Sequence, residues 1–274
     1  MTDRSDSLRG SPRAVKWGRM ADKSAIEWTE ATWNPVTGCS KVSPGCAHCY
    51  AEALSHRFGR SKKPWTPANA AENVQLHEGR LDQPLRWRRP RMIFVNSMSD
   101  LFHELVPFEF VDRVFAVMGQ ASEHTFQVLT KRPERMRQYM LEPRQEVLRN
   151  VWLGTSIENS RFTWRADVLA DTPAAVRFIS AEPLLGSLFE SGGHKKPLSL
   201  KKIDWLIAGG ESGPQARPVD ITWVRELRDA CRDEGVAFFF KQWGGRTAKA
   251  GGRLLDDRLH DAMPLPRRAA QLVL

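Results

Sequence analysis

Seven short runs of branched and aromatic residues recur along this chain, and nearly every one ends in small or polar residues. They are "AIEWTEATWNPVTG", "RMIFVNS", "TFQVLTK", "VWLGTSI", "VRFISAE", "DWLIAGG" and "VAFFFKQW". Runs so short and so nearly continuously apolar suit parallel strands buried on both faces. Longer stretches of helical period separate them. "PFEFVDRVFAVMGQAS" spaces Phe110, Val111, Val114, Phe115 and Met118 as one apolar stripe, and "DITWVRELRDACRDEG" does the same with Trp223, Leu227 and Cys231. Pro107 and Asp220 stand where helices start, and Gly235 where one stops. Repeated β-α units of this kind predict an α/β fold with a parallel sheet. At 274 residues and 41% hydrophobic content, one domain with one large core is the expectation.

In a parallel barrel the carboxyl ends of the strands share one face, where ligands bind. Here those ends read Asn96-Ser97-Met98-Ser99-Asp100, Thr130-Lys131-Arg132, Thr155-Ser156-Ile157-Glu158-Asn159, Ser180-Ala181-Glu182-Pro183 and Gly209-Gly210-Glu211-Ser212-Gly213. Turns favour polar residues in any fold, so each end alone is also an ordinary turn. Together they predict a polar mouth.

After the first run comes "TGCSKVSPGCAHCYAEAL", with three of the four cysteines inside eleven positions. Six residues separate Cys39 from Cys46 and two separate Cys46 from Cys49. No run approaches the roughly 20 apolar residues of a membrane helix, and the N-terminus lacks the apolar core of a secretion signal, so a cytoplasmic protein without membrane association is expected. In a reducing compartment such a cluster binds metal or does chemistry rather than forming disulfides. Zinc in a structural site takes four ligands, and His48 or His56 is available to complete one. Cys231 sits on the apolar stripe of a helix and reads as core packing. A [4Fe-4S] cluster held by three cysteines instead leaves one iron open to a small molecule.

The three cysteines, placed on the loop after the first strand and before the first helix, resemble those of the radical S-adenosylmethionine superfamily. The superfamily's usual first gap is three residues, where this chain has six. More closely, "SAIEWTEATWNPVTGCSKVSPGCAHCYAE", "NSMSDLFHE", "LTKRPERM", "LGTSIEN", "FISAEPLLG" and "WLIAGGESG" resemble a phage-associated three-cysteine-motif family, a domain of unknown function. The superfamily resemblance implies a partial (βα)6-type parallel barrel, a [4Fe-4S] cluster on Cys39, Cys46 and Cys49, bound S-adenosylmethionine and an electron donor that reduces the cluster. It further implies that Asn96, Ser97, Ser99 and Asp100 face the methionyl amine, that Lys131 pairs with the methionyl carboxylate and that Ser156 and Glu158 bond the ribose. His48, just before the third cysteine, falls near the adenine, while Glu182 and Glu211 face cofactor or substrate. Helix caps and ordinary ion pairs account for the same residues equally well.

Forty-one Lys and Arg against thirty-two Asp and Glu leave a net charge of +9, which suits a phosphate-bearing partner or a merely basic enzyme. "RWRRPR", residues 86–91, interleaves Arg with Trp as nucleic-acid surfaces do, and as soluble basic loops also do. Two functions follow: a radical enzyme acting on a nucleic-acid base or nucleotide, or on a peptide or small molecule, and a zinc- or cluster-stabilised nucleic-acid-binding protein without chemistry. Residues 1–22 read as a disordered basic tail in which Met20 is a second candidate start, residues 23–247 as the barrel domain and residues 248–274 as a C-terminal extension.

Overall fold

The computed structural model describes residues 24–191, 196–247 and 249–264. The tail at residues 1–22, with Met20, lies outside the described residues. All seven predicted strands form one parallel sheet: β1 (Ala31–Trp33), β4 (Met92–Val95), β5 (Thr125–Thr130), β6 (Val151–Ser156), β7 (Val176–Ala181), β8 (Trp205–Gly209) and β9 (Ala237–Gln242). Their order in the sheet is their order in the chain. A sequence of strands that never reverses is wound in one direction, as in a barrel, and β1 and β9 do not pair with each other. The architecture is therefore an α/β partial barrel, one strand longer than the six-unit expectation.

The first run divides in the structure. Pro35 has no N–H for a ladder, so β1 stops at Trp33, and β2 (Val36–Thr37) pairs antiparallel with β3 (Gln75–Leu76) instead. Helix α1 (Tyr50–Arg57) follows the cysteines, and α2 (Ala70–Asn73) lies between it and β3. Helices α3 (Phe108–Gln120), α4 (Pro133–Met140), α5 (Trp164–Ala170) and α6 (Ile221–Glu234) cover the outer face. Pro107 and Asp220 are the N-caps of α3 and α6, and Gly235 ends α6 in the left-handed region at φ 69°. All five residues of the α3 stripe are buried; on α6, Leu227 and Cys231 are buried, with Trp223 packed against the core.

Alternation along each strand separates two cores. Ile93, Val95, Leu153, Ile179, Leu206 and Phe240 pack outward against the helices. Phe94, Trp152, Phe178, Trp205 and Phe239 face the concave side, and Trp28 joins them. There the Trp205 ring lies 5.7–6.2 Å from the rings of Trp28, Trp152, Phe178 and Phe239. This aromatic plug fills the amino-terminal part of the concavity, and a Cβ on Gly154 would come within 2.5 Å of the Phe178 ring. Counting on by twos, the concave residues run Trp152, Gly154, Ser156 on β6 and Trp205, Ile207, Gly209 on β8. Bulk thus gives way to small and polar side chains toward the carboxyl ends.

Part of the C-terminal stretch belongs to the sheet. Phe240 N donates to His260 O at 2.8 Å and Ala262 N to Phe238 O at 3.2 Å, which covers the open edge of β9. No helix among the described residues is long and apolar enough to cross a membrane.

A candidate metal and cofactor site under the cysteine loop

The segment from Gly38 to Cys49 crosses the carboxyl face of the sheet from β1 to β8, tied down at successive strand ends. Gly38 N donates to Met98 O at 3.0 Å, extending the β1–β4 pairing past both strands. Ser40 Oγ lies 2.8 Å from His103 Nε2. Ser43 Oγ donates to Glu158 Oε1 at 2.6 Å, beyond β6. Pro44 O accepts from Arg217 Nη2 at 3.1 Å, and His48 Nδ1 is 3.0 Å from Glu211 Oε2, beyond β8. The loop approaches so closely at Gly45 that a Cβ there would sit 2.6 Å from the Glu158 side chain. Cys46 closes a 3-10 turn over Pro44–Cys46, and Cys49 is the N-cap of α1.

Beneath the loop, acids and bases from different strand ends pair off. Asp100 accepts four hydrogen bonds: from Phe102 N at 3.0 Å, Thr130 Oγ1 at 2.7 Å, Lys131 N at 3.1 Å and Arg132 Nη1 at 3.1 Å. Arg132 in turn donates to Glu104 Oε1 at 2.9 Å, Ser40 Oγ at 3.0 Å and Ser40 O at 3.2 Å, and its Nη1 reaches Cys39 Sγ at 3.7 Å. Glu158, without solvent exposure, takes Lys131 Nζ at 2.8 Å on one oxygen and Arg165 Nη1 at 3.2 Å on the other. Glu182 pairs with Lys241 Nζ at 2.9 Å and accepts from Ser180 Oγ at 3.1 Å. Glu211 is gripped by Arg217 through N at 3.0 Å, Nε at 2.8 Å and Nη2 at 2.5 Å.

The sequence-predicted residues therefore gather at one mouth, with different local duties. Ser97 Oγ donates to Asn34 Oδ1 at 3.2 Å, and Ser99 Oγ to Val36 O at 2.9 Å; both serve the loop after β1. Ser156 ends β6 buried, its carbonyl accepting from Arg165. Asn96, at φ 62°, uses Oδ1 to accept from Val36 N at 3.2 Å, while its Nδ2 is buried without a hydrogen-bond partner. Sequence reasoning missed Arg132, Arg165, Arg217 and Lys241. The signal for Lys241 was a lone cation inside "AFFFKQ"; Arg132 was quoted at its strand end without a role.

Burial pushes the Cys39 thiol up to about 12, with the Asp100 charge adding and the Arg132 guanidinium opposing. The Cys49 thiol is also raised, chiefly by burial. Both feel the charge of Cys46, which lies between them in the chain. Cys231 is buried in the α6 core, away from this loop. Among the described residues no three His, Cys, Asp or Glu side chains stand at metal-coordinating geometry. The donor set nonetheless suits a three-thiolate iron–sulfur centre: three half-buried sulfurs on one loop, His48 engaged by Glu211, and the Asn96 Nδ2 donor unspent beside the mouth.

For Glu211, burial pushes the carboxyl up, but the Arg217 and His48 hydrogen bonds outweigh it and hold it at about 2, against an ordinary 4.5. A depressed carboxylate contributes stability that is complete above the unfolded value and lost as pH falls toward the folded one. Urea unfolding of the wild type should therefore lose stability steeply from about pH 4.5 down to about pH 2. Glu211→Gln should be weaker at pH 7 and flatter across that window; parallel acid limbs would show that this contact contributes nothing.

Solved structures that the chain resembles include forms of spore photoproduct lyase. One cysteine-to-serine mutant is 14% identical with a TM-score of 0.40, covering 73% of this chain and 59% of that one. A double mutant with bound AdoMet and dinucleoside spore photoproduct is 12% identical with a TM-score of 0.42, covering 83% and 80%. The complex with dinucleoside spore photoproduct alone is 13% identical with a TM-score of 0.43, again over 83% and 80%. Against the first of these, the chain spans about three fifths of the other's length. No curated protein matches the chain. Residues 23–264 match a family described only as a protein of unknown function, DUF5131, and the chain belongs to that family.

Proposed function

We propose that this chain is a radical S-adenosylmethionine enzyme whose substrate is a nucleic-acid base or nucleotide. The observation that carries it is the placing of three thiols, with no fourth cysteine beside them, over the carboxyl mouth of a one-way parallel partial barrel. When bound and reduced, a [4Fe-4S] cluster with S-adenosylmethionine supplies one-electron cleavage of a sulfonium C–S bond, giving a 5′-deoxyadenosyl radical. Cys39, Cys46 and Cys49 would hold the cluster. Asn96 Nδ2 offers a hydrogen-bond donor, and the Lys131 and Lys241 ammoniums offer charge to a carboxylate, each released from a carboxylate it now pairs with. Ser156 and Glu158 are acceptors for ribose hydroxyls, and His48 presents a flat ring for adenine. The aromatic plug closes the amino-terminal side of the concavity against water. An electron donor in a reducing, cytoplasmic setting completes the requirement.

A second reading, a metal-stabilised nucleic-acid-binding protein without chemistry, draws on the mouth carboxylates being already paired. One experiment separates them. Reduced, cluster-replete protein given S-adenosylmethionine and no substrate should slowly form 5′-deoxyadenosine and methionine. If it neither binds nor cleaves S-adenosylmethionine, the binding-protein reading replaces the enzyme. Deuterium transfer into 5′-deoxyadenosine from labelled nucleic acid, and not from labelled peptide, would fix the substrate class.

A further inference from the structure

Helix α1 leaves the third cysteine with an apolar stripe turned to solvent. Tyr50, Leu54 and the C-cap residue Phe58 recur every four residues, so they line one side of the helix and its end, and all three are exposed, Phe58 at 54%. The Tyr50 hydroxyl donates to Ser97 O at 2.6 Å, which fixes the inner end of the stripe at the rim of the mouth.

The outer end is strongly basic. Residues 57–63 read "RFGRSKK", four cations and no acid. The Arg57 and Arg60 guanidinium carbons lie 6.0 and 5.4 Å from the Phe58 ring centroid, so two like charges flank one exposed ring. Arg80 adds a third: after burial, its charge is what lowers Arg60, and burial followed by both arginines brings His77 down to about 4. Helices α1 and α2 carry one acid each. Glu72 pairs with Lys63 at 2.6 Å, and Glu52 is turned inward to Trp65 N at 2.7 Å and Lys41 at 2.8 Å. Arg57, Lys62 and Lys63, all exposed, hold positive charge at this end of the stripe, which favours an anionic partner.

The geometry points to a docking surface for single-stranded nucleic acid along the outer side of α1: bases stack on Phe58 and toward Tyr50 while Arg57, Lys62 and Lys63 take successive phosphates. Stacking platforms interleaved with cations bind single strands with little regard to sequence. The inference rests on the radical-enzyme reading for its purpose, since a strand laid along α1 is led to the cysteine loop with its bases already unpaired, as base chemistry requires. The "RWRRPR" stretch does not serve this surface. It precedes β4 and so lies at the amino ends of the strands, opposite the mouth, with Arg86 paired to Asp82 and Arg91 over the Trp87 ring at 5.2 Å.

Fluorescence anisotropy of cluster-loaded full-length protein with labelled oligothymidylate and oligouridylate of about twelve nucleotides tests this. Wild-type binding should weaken with salt at a log–log slope of about −2, for three phosphates at roughly 0.7 each. Phe58→Ala should weaken binding at least about five-fold and Phe58→Tyr should restore it. Arg57→Glu, Lys62→Glu and Lys63→Glu together should reduce the slope by about two. All these side chains are exposed, so the melting curves should match the wild type. Arg88→Glu with Arg89→Glu is the comparison at the opposite end and should change affinity less than about two-fold. Selectivity for one polymer supports the surface. Absence of binding at low salt, indifference to the α1 changes, loss carried by Arg88 and Arg89, or equal competition by polyglutamate each overturns it. Oligonucleotide binding that fails while wild-type protein still cleaves S-adenosylmethionine sinks this surface alone; binding that depends on Phe58 without any cleavage sinks the enzyme alone.

Discussion

Alanine at Cys39, Cys46 or Cys49 is expected to abolish iron loading and 5′-deoxyadenosine formation together, while alanine at Cys231 leaves both in place. Anaerobically reconstituted wild type should hold about four irons and four sulfides, with broad visible absorption that bleaches on reduction. The site has no redundancy to absorb a loss. Nearby His48 is committed to Glu211 and His103 to Ser40, so neither is a ready substitute for a missing thiolate. Cys231 is fully buried against the sheet, and its replacement removes packing alone, at roughly 1–2 kcal/mol by urea unfolding. Stoichiometric zinc without iron, under iron-replete reconstitution, would refute the cluster. Iron lost from Cys231→Ala would reveal a fourth ligand and close the open position.

The largest single effect on stability is expected at Glu158. Glutamine keeps the shape and removes the charge, leaving Lys131 and Arg165 facing a neutral amide at a fully buried position. Breaking a buried ion pair from one side costs about 3–5 kcal/mol, well above the value of an exposed pair. The Ser43 hydroxyl loses its carboxylate acceptor as well, so the cysteine loop should become more open to amide exchange around residues 43–46. Burial raises the Glu158 carboxyl, but Lys131 and Arg165 bring it below the ordinary range. Its contribution is therefore present at neutral pH and disappears in acid. A loss under about 1 kcal/mol, with unchanged exchange, would mean that water or a neighbour makes good the missing charge.

The sheet was legible because its strands are buried on both faces, and the helices because Val111, Val114 and Met118 recur with the turn of a helix. The gathering of polar strand ends followed from parallel pairing alone. Ion-pair partners were hidden. Asp100 reads as an open carboxylate, yet it is saturated by residues some thirty positions on; Glu211 meets His48 across 163 residues. Such pairings depend on where the cysteine loop crosses the sheet, which no local pattern encodes. Length misled in one place: the first run looked like one strand until Pro35 divided it. The basic loop at residues 86–91 carried its own answer, since a segment that leads into a parallel strand belongs to the face opposite the mouth. The pairing of Phe238 and Phe240 with the C-terminal stretch had no signal, because "LHDAM" alternates weakly.

The lacing of the cysteine loop also sets an order of events during synthesis. Pro44 is held by Arg217, 173 residues further along, and Ser43 by Glu158, 115 residues along. At about 5–20 residues per second, a ribosome delivers the thiols roughly 9–35 s before the arginine that seals them. Through that interval the three cysteines belong to an unfinished sheet, open to oxidants and to any iron carrier. The loop cannot be fully laced before Arg217 is made, so a metal that loads without unlacing anything would enter while the chain is still being made.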